Sequence, residues 1–358
     1  LSCSSAASDV YKRQGNKPHI IYIAIVKAFQ FNTTPGIRFG SDYSVGTAEE
    51  VSKKLGNKIL FVTDPGLVKI GLHEKTITEL QKYSEILIFD NVEADPSIKT
   101  LMNCVQQGRD FDATGVIGFG GGSSMDVSKL TALLIGSNEN IHEAWGVANA
   151  KGPRLPLALY PTTSGTGSEV TPISIITQED LEKKGVSSPI ILPDLAILDP
   201  SLTLGLPPHI TAATGIDAMV HAIESYASKS VNNNLISQTL AKEALKLLGS
   251  SIRQAVINGK DIEARSNMLV GSMLAGVSFG NSPVAGVHAL AYPIGGTYHV
   301  PHGLSNALVL PYVLRFNISD QNASKLYSEI APIVFPDIDT STSCLLYTSD
   351  AADEQLSV

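Results

Sequence analysis

The chain has 358 residues, of which 43% are hydrophobic, and a formal net charge of −8. That length permits two domains with sizeable cores, and the acidic balance argues against nucleic acid as a partner, because phosphate binding rests on an excess of Lys and Arg. Three cysteines make no disulfide framework, and no apolar run approaches the roughly 20 residues that span a bilayer, so the expectation is a cytoplasmic protein with no membrane partner.

Both ends read as foreign. Residues 4–14 are SSAASDVYKRQ and residues 344–354 are CLLYTSDAADE. One back-translation of the first, reverse-complemented and shifted by one base, encodes the second. Segments that are opposite strands of one DNA element are expected to be translated adapter, so residues 1–14 and 344–354 stand outside the fold reasoning. Residues 15–26 read as read-through or an unusual leader. Of the cysteines, only Cys104 then belongs to the native chain, which is expected to continue beyond Ser343.

From residue 27 to about residue 192, short apolar runs alternate with longer helical stretches. Residues 45–55 read as a helix. Residues 59–63 (ILFVT) read as a buried strand, ended by Asp64, Pro65 and Gly66. Residues 85–89 (EILIF) make a second strand, 96–107 a helix, and 116–119 (VIGF) a third strand. A fourth begins at residues 157–160, near Pro161. Strand, helix, strand in series implies parallel pairing with right-handed crossovers. After Pro200 the strands cease. Residues 211–227, 234–258 and 261–279 read as helices, with Leu240, Ala244, Leu247 and Leu248 at helical spacing. The pattern predicts two domains, an α/β domain over 27–195 and a helical domain over 196–343.

The turn from Gly118 to Asp126 (GFGGGSSMD) follows an apolar strand and precedes a helical stretch at 127–134. Its glycines allow close backbone approach, and a helix start favours an anion. The dinucleotide fingerprint GxGxxG fails because Ser123 holds the third glycine position. Alone, the turn fits a phosphate cradle and a ligand-free strand-to-helix turn equally. Asp64, at the end of the 59–63 strand, suits an adenosine ribose and would repel a 2′-phosphate, but a turn Asp before Pro-Gly is common. Residues 161–169 (PTTSGTGSE) suit a phosphate or a nicotinamide amide, or simply a loop with a helix cap.

Asp217 and His221 are four apart in an apolar helical stretch and share a face. An inward-pointing pair is expensive unless it binds something, although the two residues could bond each other. His288 and His302 sit in short apolar or Gly/Pro settings. A lone His in such a setting is more often a core group than a ligand. As a set, one carboxylate and three imidazoles suit Fe²⁺ or Zn²⁺.

Five segments in order complete the picture: residues 62–64 (VTD), 120–126 (GGGSSMD), 161–169 (PTTSGTGSE), 215–225 (GIDAMVHAIES) and 288–303 (HALAYPIGGTYHVPHG). With them the sequence resembles the iron-containing (group III) alcohol dehydrogenase family from about residue 29 to residue 316. The resemblance implies an α/β N-terminal dinucleotide-binding domain and an all-α C-terminal metal-binding domain, the dehydroquinate synthase-like fold of that family. It implies NAD, and Fe²⁺ (with Zn²⁺ as the substitute) on Asp217, His221, His288 and His302. Cofactor contacts are implied at Asp64, Gly121, Gly122, Ser123, Asp126, Thr162 and Thr163, with Lys183 near the nicotinamide. The implied activity interconverts a primary alcohol and an aldehyde, and homodimers are the family habit. The rival readings are a hydroxyacid–oxoacid transhydrogenase that keeps its NAD bound, and a non-catalytic nucleotide-binding fragment. Tyr292 stands where some members place a second histidine, and His299 is the substitute expected for any catalytic proton transfer.

Overall fold

The computed structural model describes residues 27–335 apart from Leu181 and His299. The two adapter-like ends, residues 15–26 and the catalytic candidate His299 therefore lie outside the described residues. Among the described residues nine strands run in chain order as β1 (Gly36–Phe39), β2 (Lys58–Val62), β3 (Glu85–Phe89), β4 (Gly115–Gly120), β5 (Gly146–Val147), β6 (Leu157–Pro161), β7 (Ile173–Thr177), β8 (Lys183–Ser187) and β9 (Leu195–Leu198). The helices of eight residues or more are α1 (Ala48–Leu55), α2 (Ile98–Asp110), α3 (Gly122–Ser137), α4 (Pro208–Ala227), α5 (Leu235–Ile257), α6 (Ile262–Asn281), α7 (Gly286–Tyr298), α8 (His302–Asn317) and α9 (Gln321–Val334).

Six strands form one sheet in the order β1-β9-β6-β4-β2-β3, and every pair in it is parallel. The apolar runs exist because this sheet is covered on both faces. Strand alternation splits β2 cleanly: Leu60 and Val62 join the core beneath α3, while Ile59 and Phe61 join the opposite core with Val51 and Leu55 of α1. Phe61, Phe119 and Tyr160 pack as tilted rings across neighbouring strands at 5.3 and 6.0 Å between centroids. Burying each such side chain contributes roughly 1.5–3 kcal/mol. From β2 the chain steps outward to β3, then returns past β2 to β4 and continues to β6. The strand order thus reverses between β2 and β4, and ligands of open α/β sheets bind at the carboxyl ends of such a reversal.

The second domain packs α4, α5, α6 and α9 around small residues such as Ala218, Ala222, Ala241, Ala244 and Ala275. Two of its helix starts are set by side chains: Asn234 accepts from Ser237 N, and Asp261 from Glu263 N and Ala264 N, as preferred caps do.

Four expectations need correction. The helix after the glycine turn begins at Gly122, not at residue 127, because Gly121 acts as its N-cap and draws the serines into the first turn. β9 belongs to the large sheet, pairing with β1 and β6, so the sheet domain extends past residue 195 to Leu198. Residues 173–187 form an antiparallel pair, β7 with β8, in a domain expected to be wholly parallel. Its second strand reads KKGVS, too polar to register as a strand. β1, four residues long at the sheet edge, was also not foreseen.

Candidate functional site

The site grows from the carboxyl ends of β2 and β4 toward the helical domain. Gly120 ends β4 at φ 153°, where an added Cβ would lie 2.7 Å from Ser124 Oγ, and Asp64 Oδ2 is 3.4 Å from the same point. Only glycine lets β4 turn so tightly into α3. Asp64 caps the short helix Pro65–Lys69 through Oδ1, which accepts from Leu67 N at 3.0 Å. Thr162 donates its backbone N–H to Gly120 O at 3.0 Å, and Thr163 faces Gly121.

A cavity of about 240 Å³ opens between the domains. Gly122, Ser123 and Asp126 line one side, and His221, His288 and His302 the other. Thr166, Ser168 and Lys183 also line it. Of the expected cofactor residues, then, Gly122, Ser123, Asp126 and Lys183 reach this cavity, while Asp64, Gly121, Thr162 and Thr163 gather at the strand ends around Gly120. Both Asp126 oxygens are committed to the protein, one to Ser168 Oγ at 2.7 Å and one to Ile175 N at 2.8 Å. Its part at the cleft is therefore to hold β7 against α3. Lys183 pairs with Asp95 at 2.5 Å. Asp95 lines the same cavity and was invisible in the sequence.

Beneath Asp126 lies a buried basic group. Lys129 is fully buried, and its Nζ donates to Ser168 Oγ at 2.7 Å and Ile173 O at 2.7 Å. Burial brings its ammonium down to about 8 despite Asp126 and Glu169 nearby. Burial pushes the neighbouring Glu169 carboxyl up to about 7.

The four candidate metal ligands converge. Asp217, His221, His288 and His302 each offer one ligand atom, and all four atoms lie within 4.8 Å of one another. Asp217 Oδ1 is 4.0, 3.8 and 3.6 Å from Nε2 of His221, His288 and His302 respectively. Donors that share an ion at ~2.1 Å stand roughly 3–3.4 Å apart, so the donor set fits a divalent ion once its wider pairs draw in by about 1 Å. Asp217 and His221 come from one face of α4, His288 from the first turn of α7, and His302 from the start of α8.

Two further contacts fix which imidazole nitrogen faces the cluster. Nδ1 of His221 lies 3.3 Å from Gly165 O, an oxygen that can only accept, so Nδ1 carries the proton and Nε2 the lone pair. Nδ1 of His288 lies 2.7 Å from Glu224 Oε2 with the same consequence. Burial drives the His221 imidazole down to about 3 and lowers that of His302, so both present lone pairs at neutral pH. Burial opposes ionisation of Asp217; any positive charge on the three imidazoles, and the hydrogen bond from the Asn306 amide, outweigh it and hold the carboxylate below its usual range. Phe279 stacks on His221 at 4.2 Å, and Tyr292 on His302 at 5.8 Å. The sequence reading did not single out Glu224 or Asn306. Glu224 left a signal, since it follows Asp217 at i+7 and His221 at i+3 on the same helical face.

Among the described residues, no single helix is long and apolar enough to cross a membrane. A family model described as iron-containing alcohol dehydrogenase matches residues 34–200. A second, described as the C-terminal part of the Fe-containing alcohol dehydrogenase family, matches residues 211–354. Long-chain-alcohol dehydrogenase 1 of Geobacillus thermodenitrificans is 47% identical over 269 residues, covering 74% of this chain and 67% of that protein. Sulfoacetaldehyde reductase of Bilophila wadsworthia is 38% identical over 329 residues, covering 91% and 83%. The solved alcohol dehydrogenase from Oenococcus oeni superposes with a TM-score of 0.85 at 34% identity, covering 92% of this chain and 87% of that one.

Proposed function

The chain belongs to the iron-containing alcohol dehydrogenase family, and from that premise we propose that it interconverts a primary alcohol and an aldehyde, with NAD as hydride carrier and one divalent iron on Asp217, His221, His288 and His302. A single observation carries the reading: one cavity is walled by the Gly122 helix start on one side and by the imidazole cluster on the other. The relatives named above are alcohol dehydrogenases and an aldehyde reductase, which favours this reaction over hydride exchange between two acids.

When bound, the ion supplies Lewis acidity toward the substrate oxygen and the nicotinamide carries the hydride. The chain's own residues set the stage. The N-terminus of α3 offers free N–H groups and a positive dipole end to the cofactor phosphates. Asp64 at the end of β2 suits an unmodified ribose, which supports NAD over NADP. Gly165 O and Glu224 engage Nδ1 of His221 and of His288 and so turn their Nε2 atoms to the cluster. Phe279 and Tyr292 cover two of those rings and restrict water. Burial raises the Tyr292 phenol, so it stays protonated at neutral pH and is no base there. Lys183 and Asp95 neutralise each other at the cavity edge. Three imidazoles and a carboxylate would also accept zinc, and iron rests on family membership.

The test is His288→Ala. The variant is expected to lose stoichiometric iron and turnover while still binding NAD, as followed by elemental analysis and cofactor titration. A metal-free His288→Ala protein with full activity would overturn the scheme.

A further inference from the structure

A second polar side chain enters the ligand cluster one turn beyond His302. Asn306 is fully buried. Its amide nitrogen stands 2.5 Å from Asp217 Oδ1, 3.2 Å from His288 Nε2 and 3.3 Å from His302 Nε2. Its amide oxygen is buried without a partner among the described residues. A buried carboxamide is costly unless its polarity is used, and leucine would fill similar space without that cost.

The three contacts are not equivalent. An NH₂ group has two hydrogens, so it cannot serve three acceptors. With Nδ1 of His288 protonated toward Glu224, Nε2 keeps a single lone pair, which is the one a cation takes. A carboxylate oxygen has lone pairs enough to accept a hydrogen bond and still face a cation. The shortest contact, to Asp217, is therefore the one that persists when the cluster holds an ion. The backbone keeps that contact in register: an added Cβ at Gly303 would lie 2.3 Å from Ala213 O and 3.4 Å from Asp217 Cβ. Glycine at this position lets α8 press directly on α4 at the Asp217 turn.

We propose that Asn306 is a positioning residue of the metal centre, its amide N–H holding Asp217 Oδ1 as the oxygen that faces the ion. The proposal rests on the reading that the four residues hold a metal. It separates two roles for a residue that touches neither substrate nor cofactor. If Asn306 only fills space, leucine replaces it without loss and alanine is worse. If it orients Asp217, leucine and alanine both weaken the site, and serine, which leaves a cavity as alanine does but keeps a donor, is better than alanine.

The experiment loads metal-free full-length protein with Co²⁺ and measures affinity by chelator competition together with the d–d absorption spectrum. Unloaded melting and NAD binding report the fold. Asn306→Leu is expected to bind NAD normally, to lose about 10–100-fold in Co²⁺ affinity, as outer-shell changes do, and to show an altered d–d band. Asn306→Ser is expected to hold Co²⁺ several-fold more tightly than Asn306→Ala, a comparison that stands even should the leucine variant misfold. Wild-type affinity and spectrum in Asn306→Leu, or equal affinities for the serine and alanine variants, would overturn the role of Asn306 alone. Wild-type protein that takes up no Co²⁺ would overturn the metal reading itself, and the role of Asn306 with it.

Discussion

Glu224 accepts the Nδ1–H of His288 at 2.7 Å with one oxygen and the backbone N–H of Val287 at 2.7 Å with the other. Burial opposes its ionisation, but these donors hold it below the usual carboxylate range. The carboxylate thus fixes both the tautomer and the ring plane of a candidate ligand. Glu224→Ala is expected to lower metal affinity by roughly 10–100-fold. Glu224→Gln should fall between, because one amide oxygen can serve only one of the two donors. Competition against a zinc chelator measures both, and unchanged affinity in the alanine variant would refute the role.

The quartet was legible because Asp217 and His221 share a helical face and the other two histidines sit in apolar surroundings. Glu224 lies on that same face, but a carboxylate's partner is invisible in sequence until α7 folds back over α4. Asn306 gave less, because its use depends on the register between α8 and α4, set by Gly303. Of the large sheet, β2, β3, β4 and β6 were legible from their apolar runs, whereas β1 and β9, four residues each, were too short to stand out. β8 was not legible either, because KKGVS has one buried residue and a lysine pointing into the cleft. The serines of the glycine turn were placed in a loop because capping by Gly121 leaves no side-chain signal.

Asp64 does two jobs that one substitution can separate. Its Oδ1 caps a short helix through Leu67 N, while Oδ2 points toward Gly120 at the turn proposed to hold the cofactor. Asparagine caps as well as aspartate but removes the charge that would repel a 2′-phosphate. Asp64→Asn is expected to raise kcat/KM for NADP relative to NAD by about tenfold, equivalent to ~1.4 kcal/mol, with Tm unchanged. An unaltered cofactor ratio would remove Asp64 from the ribose site.

Glu169 predicts a pH dependence of stability. Its carboxyl is 1% exposed, Oε1 has no partner among the described residues, and burial raises it from 4.5 to about 7. Between pH 4.5 and 7 the folded protein holds a proton that the unfolded chain has lost, so stability falls as pH rises through this window. Lys129, at about 8, titrates above it. The effect is bounded at about 3 kcal/mol from the size of the shift. Thermal melts of wild type should decline from pH 5 to pH 7 relative to Glu169→Gln, and parallel curves would show that Glu169 is charged in the folded state.

Along α8, Leu304, Leu308, Tyr312 and Phe316 recur every fourth residue and are 39%, 49%, 71% and 80% exposed. Leu290 and Tyr298 of α7 are exposed as well. The opposite side of α8 buries Ala307, Val309 and Leu310, so the helix is apolar nearly all round, which surface helices are not. An apolar stripe of this length promotes association. Tyr312→Lys with Phe316→Glu is expected to raise solubility and reduce binding of a hydrophobic dye. Neither residue is buried, so stability should change by no more than about 0.5 kcal/mol per site, and metal and NAD binding should be kept. A wild-type protein that binds no dye, and a double variant that loses stability well beyond that margin, would mean that another surface covers the stripe in solution.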